Sequence, residues 1–200
     1  MLNNVAQRIQ NYSPRPLLLP PYAREAAVLM PLTRSETPEL VLTLRAQNLS
    51  THGGEVAFPG GRRDPEDYDL IRTALREAQE EVGLAPDLVE VVGPLSELVS
   101  RHGIKVTPYV GFVPDRLEYQ ANAGEIDSVF SVPLEFFTTD PRDYTHRIDY
   151  LGQTWYVPSY QFGDYKIWGL TAVMVVELVN LVYDTQIDLF EPPQLSKKEL

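Results

Sequence analysis

The chain has 200 residues, with 28 Asp and Glu against 17 Lys and Arg, and a formal net charge of -11. This negative balance argues against nucleic acid or an anionic membrane as a general partner, because both attract basic surfaces. The chain contains no cysteine, which excludes disulfides, thiolate metal sites and a cysteine nucleophile. Its composition is that of an ordinary soluble globular protein with a substantial core.

We expect one domain over residues 1–200, with a short N-terminal extension to about residue 21 and a loose tail from about residue 191. The first residues lack the basic start and apolar run of a signal peptide. The apolar stretch 170–182 is too short to span a bilayer and contains Glu177. A soluble, cytoplasmic protein is the expectation.

In the N-terminal half, residues 2–12 have the apolar spacing of a short amphipathic helix. Two apolar runs, 26–34 and 40–46, are separated by a polar turn and predict a β-hairpin. Residues 56–58 predict a short strand that is broken by Pro59-Gly60-Gly61.

A helix is predicted to begin at Asp64-Pro65, an N-cap acid followed by proline at the first helical position. Asp67 then stands in the capping-box position. The apolar stripe of the helix continues to Val82, and Gly83 supplies a left-handed stop.

Strands dominate the chain beyond this helix, and a long apolar helix follows them near the end. Strands are predicted in 89–98, 106–114 and 128–132, a polar loop at 115–127, a hairpin over 146–162 about Leu151-Gly152, and a buried helix over 167–184. Because the order is not a regular strand–helix alternation, the pattern predicts an α/β sandwich with a mixed sheet.

Three glutamates share one edge of the first long helix. Glu77, Glu80 and Glu81 have the spacing of neighbours on a helix surface, where like charges repel by about 0.2–0.5 kcal/mol per pair. Such a cluster needs a compensating cation. Carboxylates without cysteine suit hard divalent ions, so we expect Mg²⁺ or, as a substitute, Mn²⁺, acting on a phosphate ester or anhydride.

Residues 76–84, REAQEEVGL, resemble the second half of the Nudix box, GX5EX7REUXEEXGU, in which U is aliphatic. The first half differs, because Asp67 stands six residues after Gly61 where the family has glutamate, and Arg76 comes one residue late. We interpret this as a one-residue insertion before the helix. The resemblance implies a Nudix-type α/β/α sandwich with a mixed β-sheet.

Upstream of the box, VLTLRA at 41–46, then Gly54 and FPGG at 58–61, resemble the pattern LLTXRSX3RX3GX3FPGG of coenzyme A pyrophosphatases. Val41, Ala46 and Ser50 depart from it, and Ser50 replaces an arginine suited to a substrate phosphate. WGLTA at 168–172 is also similar to that subfamily. The resemblance implies hydrolysis of a CoA-like nucleotide to 4′-phosphopantetheine and adenosine 3′,5′-bisphosphate.

The resemblance also implies the metal ligands. Glu77 and Glu81 would bind the metal directly, with Glu80 as a ligand or bridging group and the carbonyl of Gly60 completing the site. Arg76 would orient one of the glutamates through a salt bridge.

Other roles stay open. The general base would be Glu125, with Glu80 as the alternative, and the substrate would contact Arg45, His52 and Gly61. Each residue also has a simpler interpretation, since Glu125 could be a plain loop acid, His52 a residue that orders its loop, and Arg45 the partner of an acid.

Two further functions compete with CoA hydrolysis. The substitution at Ser50 favours another nucleoside diphosphate derivative, such as ADP-ribose or NADH. A non-catalytic Nudix module usually loses its box glutamates, whereas this chain retains all three. A homodimer is compatible with the N-terminal segment and the last strands, although nothing in the sequence requires one.

Overall fold

A computed structural model describes residues 2–17, 24–49, 52–150 and 152–193, and helices cover both faces of its large mixed sheet. The helices are α1 (Leu2–Gln10), α2 (Leu70–Val82) and α3 (Gly169–Tyr183). The strands are β1 (Glu25–Thr33), β2 (Glu39–Arg45), β3 (Val56–Ala57), β4 (Gly60–Arg62), β5 (Glu90–Pro94), β6 (Leu98–Val99), β7 (Lys105–Val113), β8 (Ile126–Pro133), β9 (Arg142–Tyr150), β10 (Gln153–Phe162) and β11 (Tyr165–Ile167). Short 3-10 turns occupy Pro86–Leu88 and Leu134–Thr139.

The large sheet has the order β3-β2-β1-β7-β5, with β4 beside β1, β6 beside β7 and β8 beside β2. β1 and β7 run parallel, while β1 pairs antiparallel with β2 and β4. The predicted N-terminal hairpin and mixed sheet are therefore confirmed. A separate sheet has the order β11-β10-β9, and β9–β10 is the predicted hairpin; Leu151 of its turn lies outside the described residues.

Strand β1 shows why the sheet is covered on both faces. Met30 and Leu32 lie in the core on the side of α1 and α3, whereas Ala27 and Leu29 lie in the core against α2. Since successive strand residues point to opposite faces, a strand buried on both sides must be apolar throughout, as 26–32 is. The predicted α/β/α sandwich is the observed fold.

The N-terminal segment packs on this domain. Val5 and Ile9 of α1 are buried in the core, and Arg8 forms two hydrogen bonds of 2.6 Å with Asp184 at the end of α3. The Tyr12 hydroxyl donates to Glu177 of α3 at 2.6 Å. Polar and apolar contacts together tie residues 2–12 to α3.

The predicted start of the first long helix is wrong. Helix α2 begins at Leu70 with Asp69 as its N-cap, rather than at Asp64-Pro65, because the Asp69 carboxylate accepts the Arg72 N–H at 2.7 Å. The predicted strand break is confirmed, since β3 ends at Ala57, and Gly60 and Gly61 then form a separate strand, β4, against β1. A Cβ at Gly60 would lie 2.4 Å from the Ala27 carbonyl oxygen, so this pairing excludes a side chain there. The predicted helix end is confirmed, with Gly83 in the left-handed conformation at φ 68°.

None of the helices in the described part of the chain is both long and apolar enough to cross a membrane.

Candidate active site

Glu81 is the most enclosed of the three box glutamates, with 2% of its surface exposed. Helix α2 presents it toward the sheet, where one carboxylate oxygen accepts Nη1 of Arg45 at 2.9 Å and the other accepts the Gly60 N–H at 3.0 Å. Burial nevertheless outweighs these two donors and raises the pKa of Glu81 to about 7. The buried carboxylate is thus incompletely compensated by the protein.

Glu77 lies one helical turn before Glu81 and is also mostly buried. Burial raises its pKa, opposed by Arg76, while the charges of Glu80 and Glu125 raise it further. A Cβ at Gly61 would stand 2.4 Å from the carboxyl carbon of Glu77. Gly61, the second glycine of FPGG, therefore lies beside Glu77, where the absence of a side chain leaves room for this carboxylate.

Arg76 holds three carboxylates around one guanidinium. Its Nη1 donates to Glu77 at 3.0 Å and to Glu80 at 3.1 Å, while Nε and Nη2 form a fork on Asp67 at 3.2 and 3.0 Å. The predicted contact between Arg76 and a box glutamate is thus present. Arg76 links the loop before α2 to the edge of the helix.

Asp67 stands where the family pattern has its first glutamate, and the sequence does not predict its contact with Arg76. Its side chain is 2% exposed and also accepts the Thr73 hydroxyl at 2.9 Å and the Asp64 N–H at 3.1 Å. The hydrogen bonds from Arg76 lead in lowering its pKa to about 2, despite burial. The sequence signal for this role was the acid six residues after Gly61, where the family pattern has glutamate.

The two candidates for the general base differ in their surroundings. Glu80 has a 58% exposed side chain and contacts Arg76. Glu125 ends the loop between β7 and β8, which is fastened to the site by hydrogen bonds from Gln120 N–H to Val82 O and from Asn122 N–H to Glu81 O, both 2.9 Å. The charge of Glu125 acts on Glu77, so this acid lies on the same side of the molecule as the box.

Two residues predicted to bind substrate, Arg45 and His52, contact acidic side chains of the protein. Arg45 pairs with Glu81, as in the simpler interpretation of this residue. His52 has a positive φ of 59°, and its Nδ1 lies 2.7 Å from a carboxylate oxygen of Glu55, an arrangement that orders the loop after β2. Ser50 lies outside the described residues.

A family model described as NUDIX domain matches residues 23–151. This chain belongs to the Nudix family. The uncharacterized Nudix hydrolase NudL of Yersinia enterocolitica is 39% identical over 190 residues, covering 90% of this chain and 93% of that protein. NudL of Citrobacter koseri, also uncharacterized, is 44% identical over 155 residues, covering 78% of this chain and 81% of that protein.

The fold comparison agrees with the sequence comparison. A crystal structure of a MutT/nudix family protein from Enterococcus faecalis matches with a TM-score of 0.55 over 84% of this chain and 66% of that one. At 16% identity, this likeness concerns the fold alone. In this chain the residues that resemble the Nudix box, 61–84, run from β4 through the following loop and α2 to Leu84.

Nudix hydrolases generally use divalent metal ions, and the chemistry of this site fits such an ion. Within hydrogen-bond distance, the two guanidiniums of Arg45 and Arg76 contact four carboxyl groups, so acidic groups outnumber the cations by two. Among the described residues, no three His, Asp or Glu side chains are gathered tightly enough to hold a metal. The Gly60 contact observed with Glu81 is through N–H, so its carbonyl remains a predicted ligand.

Proposed function

We propose that this Nudix hydrolase uses Mg²⁺ or Mn²⁺ to hydrolyse the diphosphate linkage of coenzyme A or a derivative. The products would be 4′-phosphopantetheine and adenosine 3′,5′-bisphosphate. The metal, the CoA specificity and the residue roles below are parts of this proposal.

One observation carries the proposal. The CoA-type upstream motif and the Nudix box meet at Glu81, because Arg45 of the motif and Gly60 of FPGG both donate to its carboxylate. If the upstream motif served only to form a strand and a turn, its arginine would not need to contact a glutamate of the box. The contact supports a single site in which the upstream motif and the box act together.

In this site Glu77 and Glu81 would hold the metal ion, with Glu80 as a ligand or bridge and the Gly60 carbonyl as a further donor. The bound ion would stabilise charge on the phosphoryl oxygens and lower the pKa of an attacking water. Arg76 keeps Glu77 and Glu80 in place through its hydrogen bonds. Arg45 lies beside Glu81, where its guanidinium would contact the substrate diphosphate when a metal ion shares the negative charge.

Glu125 is our proposed general base, with Glu80 as the alternative. Glu125 is partly exposed and follows a loop whose backbone is bonded to the last turn of α2. It can therefore accept a proton beside the glutamate cluster without being engaged by Arg76. A Glu125→Gln variant would lower kcat much more than KM, and an unchanged kcat would transfer the role to Glu80.

The direct test is a substrate panel of CoA, ADP-ribose, NADH and diadenosine polyphosphates, with and without Mg²⁺ or Mn²⁺, followed by product analysis. We expect CoA to have the highest kcat/KM and turnover to require the metal. The alternative, suggested by Ser50 in place of arginine, is a preference for ADP-ribose or NADH. A CoA rate no higher than the others would reject the CoA assignment and leave the Nudix chemistry standing.

We further propose that any homodimer forms through β9, which is one of the two edge strands of the smaller sheet and carries exposed Tyr144, Ile148 and Tyr150. Antiparallel pairing of two β9 strands about Thr145 would set Asp143 of one copy opposite Arg147 of the other. Light scattering would show a dimer that Asp143→Arg weakens and Asp143→Arg with Arg147→Asp restores. A wild-type protein that stays monomeric at high concentration would reject this surface.

A further inference from the structure

Two of the three histidines of the chain meet outside the box, although they stand far apart in the sequence. His52 lies in the loop between β2 and β3, and His102 lies in the turn between β6 and β7. Their ring centroids are 5.6 Å apart, and the rings are nearly perpendicular, at 83°. Both residues are exposed, so a ligand can reach their ring nitrogens.

A series of contacts joins this histidine pair to Glu81. Nδ1 of His52 lies 2.7 Å from a carboxylate oxygen of Glu55, and the Glu55 carbonyl accepts the Arg45 N–H at 3.0 Å. Glu55 continues the register of β3 opposite Arg45, and the preceding cross-strand pair packs against the core on the side of α3. The side chains of Arg45 and Glu55 therefore share the face that α2 covers, where Arg45 contacts Glu81.

The surface between the box and the histidines is open. The side chains of Arg45, Glu55 and His52 are 21%, 36% and 40% exposed. Directly opposite strand residues have Cβ atoms about 5 Å apart, and one further hydrogen bond leads from Glu55 to His52. A ligand held at Glu81 can therefore extend over Arg45 and Glu55 to the histidine pair.

The chemistry of the pair suits a phosphate group. A doubly protonated imidazole donates from both nitrogens, so with Nδ1 of His52 directed to Glu55, its Nε2–H is available to a phosphate oxygen. His102 adds a second ring from another loop, and a dianionic phosphate supplies the negative charge that two protonated rings require. Ser50 replaces the arginine of the upstream pattern, so the histidines supply cationic groups that this loop otherwise lacks.

We propose that His52 and His102 bind the 3′-phosphate on the ribose of coenzyme A. The inference rests on the proposed CoA hydrolysis and names the group that the site recognises. One sugar ring separates the 3′-phosphate from the 5′-diphosphate, so the ribose lies over Arg45 and Glu55 while the scissile linkage stays beside the box glutamates. The pair thereby discriminates CoA from ADP-ribose and NADH, which lack a phosphate at this position.

The test compares ligands that differ only in this phosphate. KM is measured for CoA and for 3′-dephospho-CoA with wild type, His52→Gln and His102→Gln. Arg116→Gln is the matched control, because Arg116 is an exposed cation at the opposite end of β7 from His102. Calorimetry with adenosine 3′,5′-bisphosphate and with adenosine 5′-monophosphate measures the same difference without turnover.

We expect each histidine variant to raise the KM for CoA and the Kd of adenosine 3′,5′-bisphosphate by about tenfold, because a charge-assisted hydrogen bond is lost. The KM for 3′-dephospho-CoA and the Kd of adenosine 5′-monophosphate should stay within about twofold, as should all values for Arg116→Gln. A variant whose loop is merely disordered would instead weaken both ligands of each pair.

The outcomes separate this inference from the proposed function. If wild-type protein hydrolyses CoA and the histidine variants affect both ligands of each pair equally, or neither, the phosphate assignment is wrong and the proposed function stands. If wild-type protein does not hydrolyse CoA, the proposed function fails. The ratio of the two Kd values then decides the phosphate assignment alone, since a ratio that both histidine variants leave unchanged would reject it.

Discussion

Asp67 and Glu81 are both almost completely buried carboxylates, yet their environments shift their pKa values in opposite directions. Asp67 receives a two-pronged contact from Arg76, the Thr73 hydroxyl and a backbone N–H, and its pKa falls to about 2. Glu81 receives one N–H from Arg45 and one from Gly60, and burial raises its pKa to about 7. The outcome depends on the balance of two effects, because hydrogen bonds from Arg76 dominate at Asp67, whereas desolvation dominates at the more deeply placed Glu81.

This difference separates a structural ion pair, the Asp67–Arg76 clamp, from a candidate binding site at Glu81. The loop before α2 is internally balanced, since Asp67 and Arg76 satisfy one another. In the C-terminal half of α2, the three glutamates outnumber the two arginines, Arg45 and Arg76, that contact them. The first region should therefore matter chiefly for stability and the second for binding a cation and for catalysis.

The largest expected effect comes from Glu81→Gln. Hydrolysis of the preferred substrate should fall at least about a hundredfold, because a neutral amide cannot replace the buried anionic ligand. The urea midpoint should stay close to that of the wild type, since the substitution removes a buried charge. Glu66→Gln, at an exposed acid before the helix, should match wild type in both assays. Wild-type turnover in Glu81→Gln would defeat the assignment of this residue.

Gly61→Ala should have the next largest effect. The added methyl would overlap the Glu77 carboxylate and push it out of position, so activity should fall by about 10- to 100-fold. Because the overlap is with the end of a side chain, the free energy of unfolding should change little. Gly124→Ala is the control, as its nearest neighbour would lie at 3.4 Å. Steady-state kinetics of the two variants test the fit between FPGG and the helix. Equal activity of Gly61→Ala and Gly124→Ala would contradict it.

Asp67→Asn should show the opposite pattern, with a clear loss of stability and a smaller loss of activity. It leaves the mostly buried Arg76 without its main partner and should cost about 2 kcal/mol of unfolding free energy, measured by urea denaturation. Activity should drop by only about tenfold, since Arg76 still contacts Glu77 and Glu80 but is less firmly held. A variant that kept full stability while losing all activity would place Asp67 in the catalytic machinery instead.

The smallest effect is the pH dependence of the Asp67 contribution. Its folded pKa of about 2 is below the ordinary value of 3.8, so its stabilisation is present above about pH 4 and is lost as the pH falls toward 2. The difference in unfolding free energy between wild type and Asp67→Asn should therefore shrink over that interval, while other titrating groups cancel. A difference independent of pH from 5 to 2.5 would show that the ionised form of Asp67 is not what stabilises the fold.

Several features of this contrast were predictable from sequence. The helical spacing of Glu77, Glu80 and Glu81 and the stop at Gly83 are local patterns, and the structure retains the helix and its end. The two apolar runs separated by a polar turn likewise predicted the hairpin, and the order of helices and strands predicted the mixed sheet. The helix, its end and the hairpin depend on residues within a few positions of one another, whereas the mixed sheet includes the distant pairing of β1 with β7.

The missed features depend on partners that are far away in the chain. Asp64-Pro65 has the form of a helix start, but Asp67 is occupied by Arg76 nine residues later, and the helix begins only at Asp69. The pairing of Arg45 with Glu81 joins residues 36 positions apart. No local sequence pattern predicts which acid an arginine will contact. The Asp67–Arg76 clamp and the incompletely compensated carboxylate of Glu81 could therefore be distinguished only in the three-dimensional structure.

The most direct test of the central claim is Mn²⁺ binding measured by calorimetry on wild type, Glu81→Gln and Asp67→Asn, because it needs no substrate. The account predicts that wild type and Asp67→Asn bind Mn²⁺ with similar affinity and that Glu81→Gln binds it at least about tenfold more weakly. Equal binding by wild type and Glu81→Gln would contradict the claim that the buried carboxylate of α2 is the metal ligand.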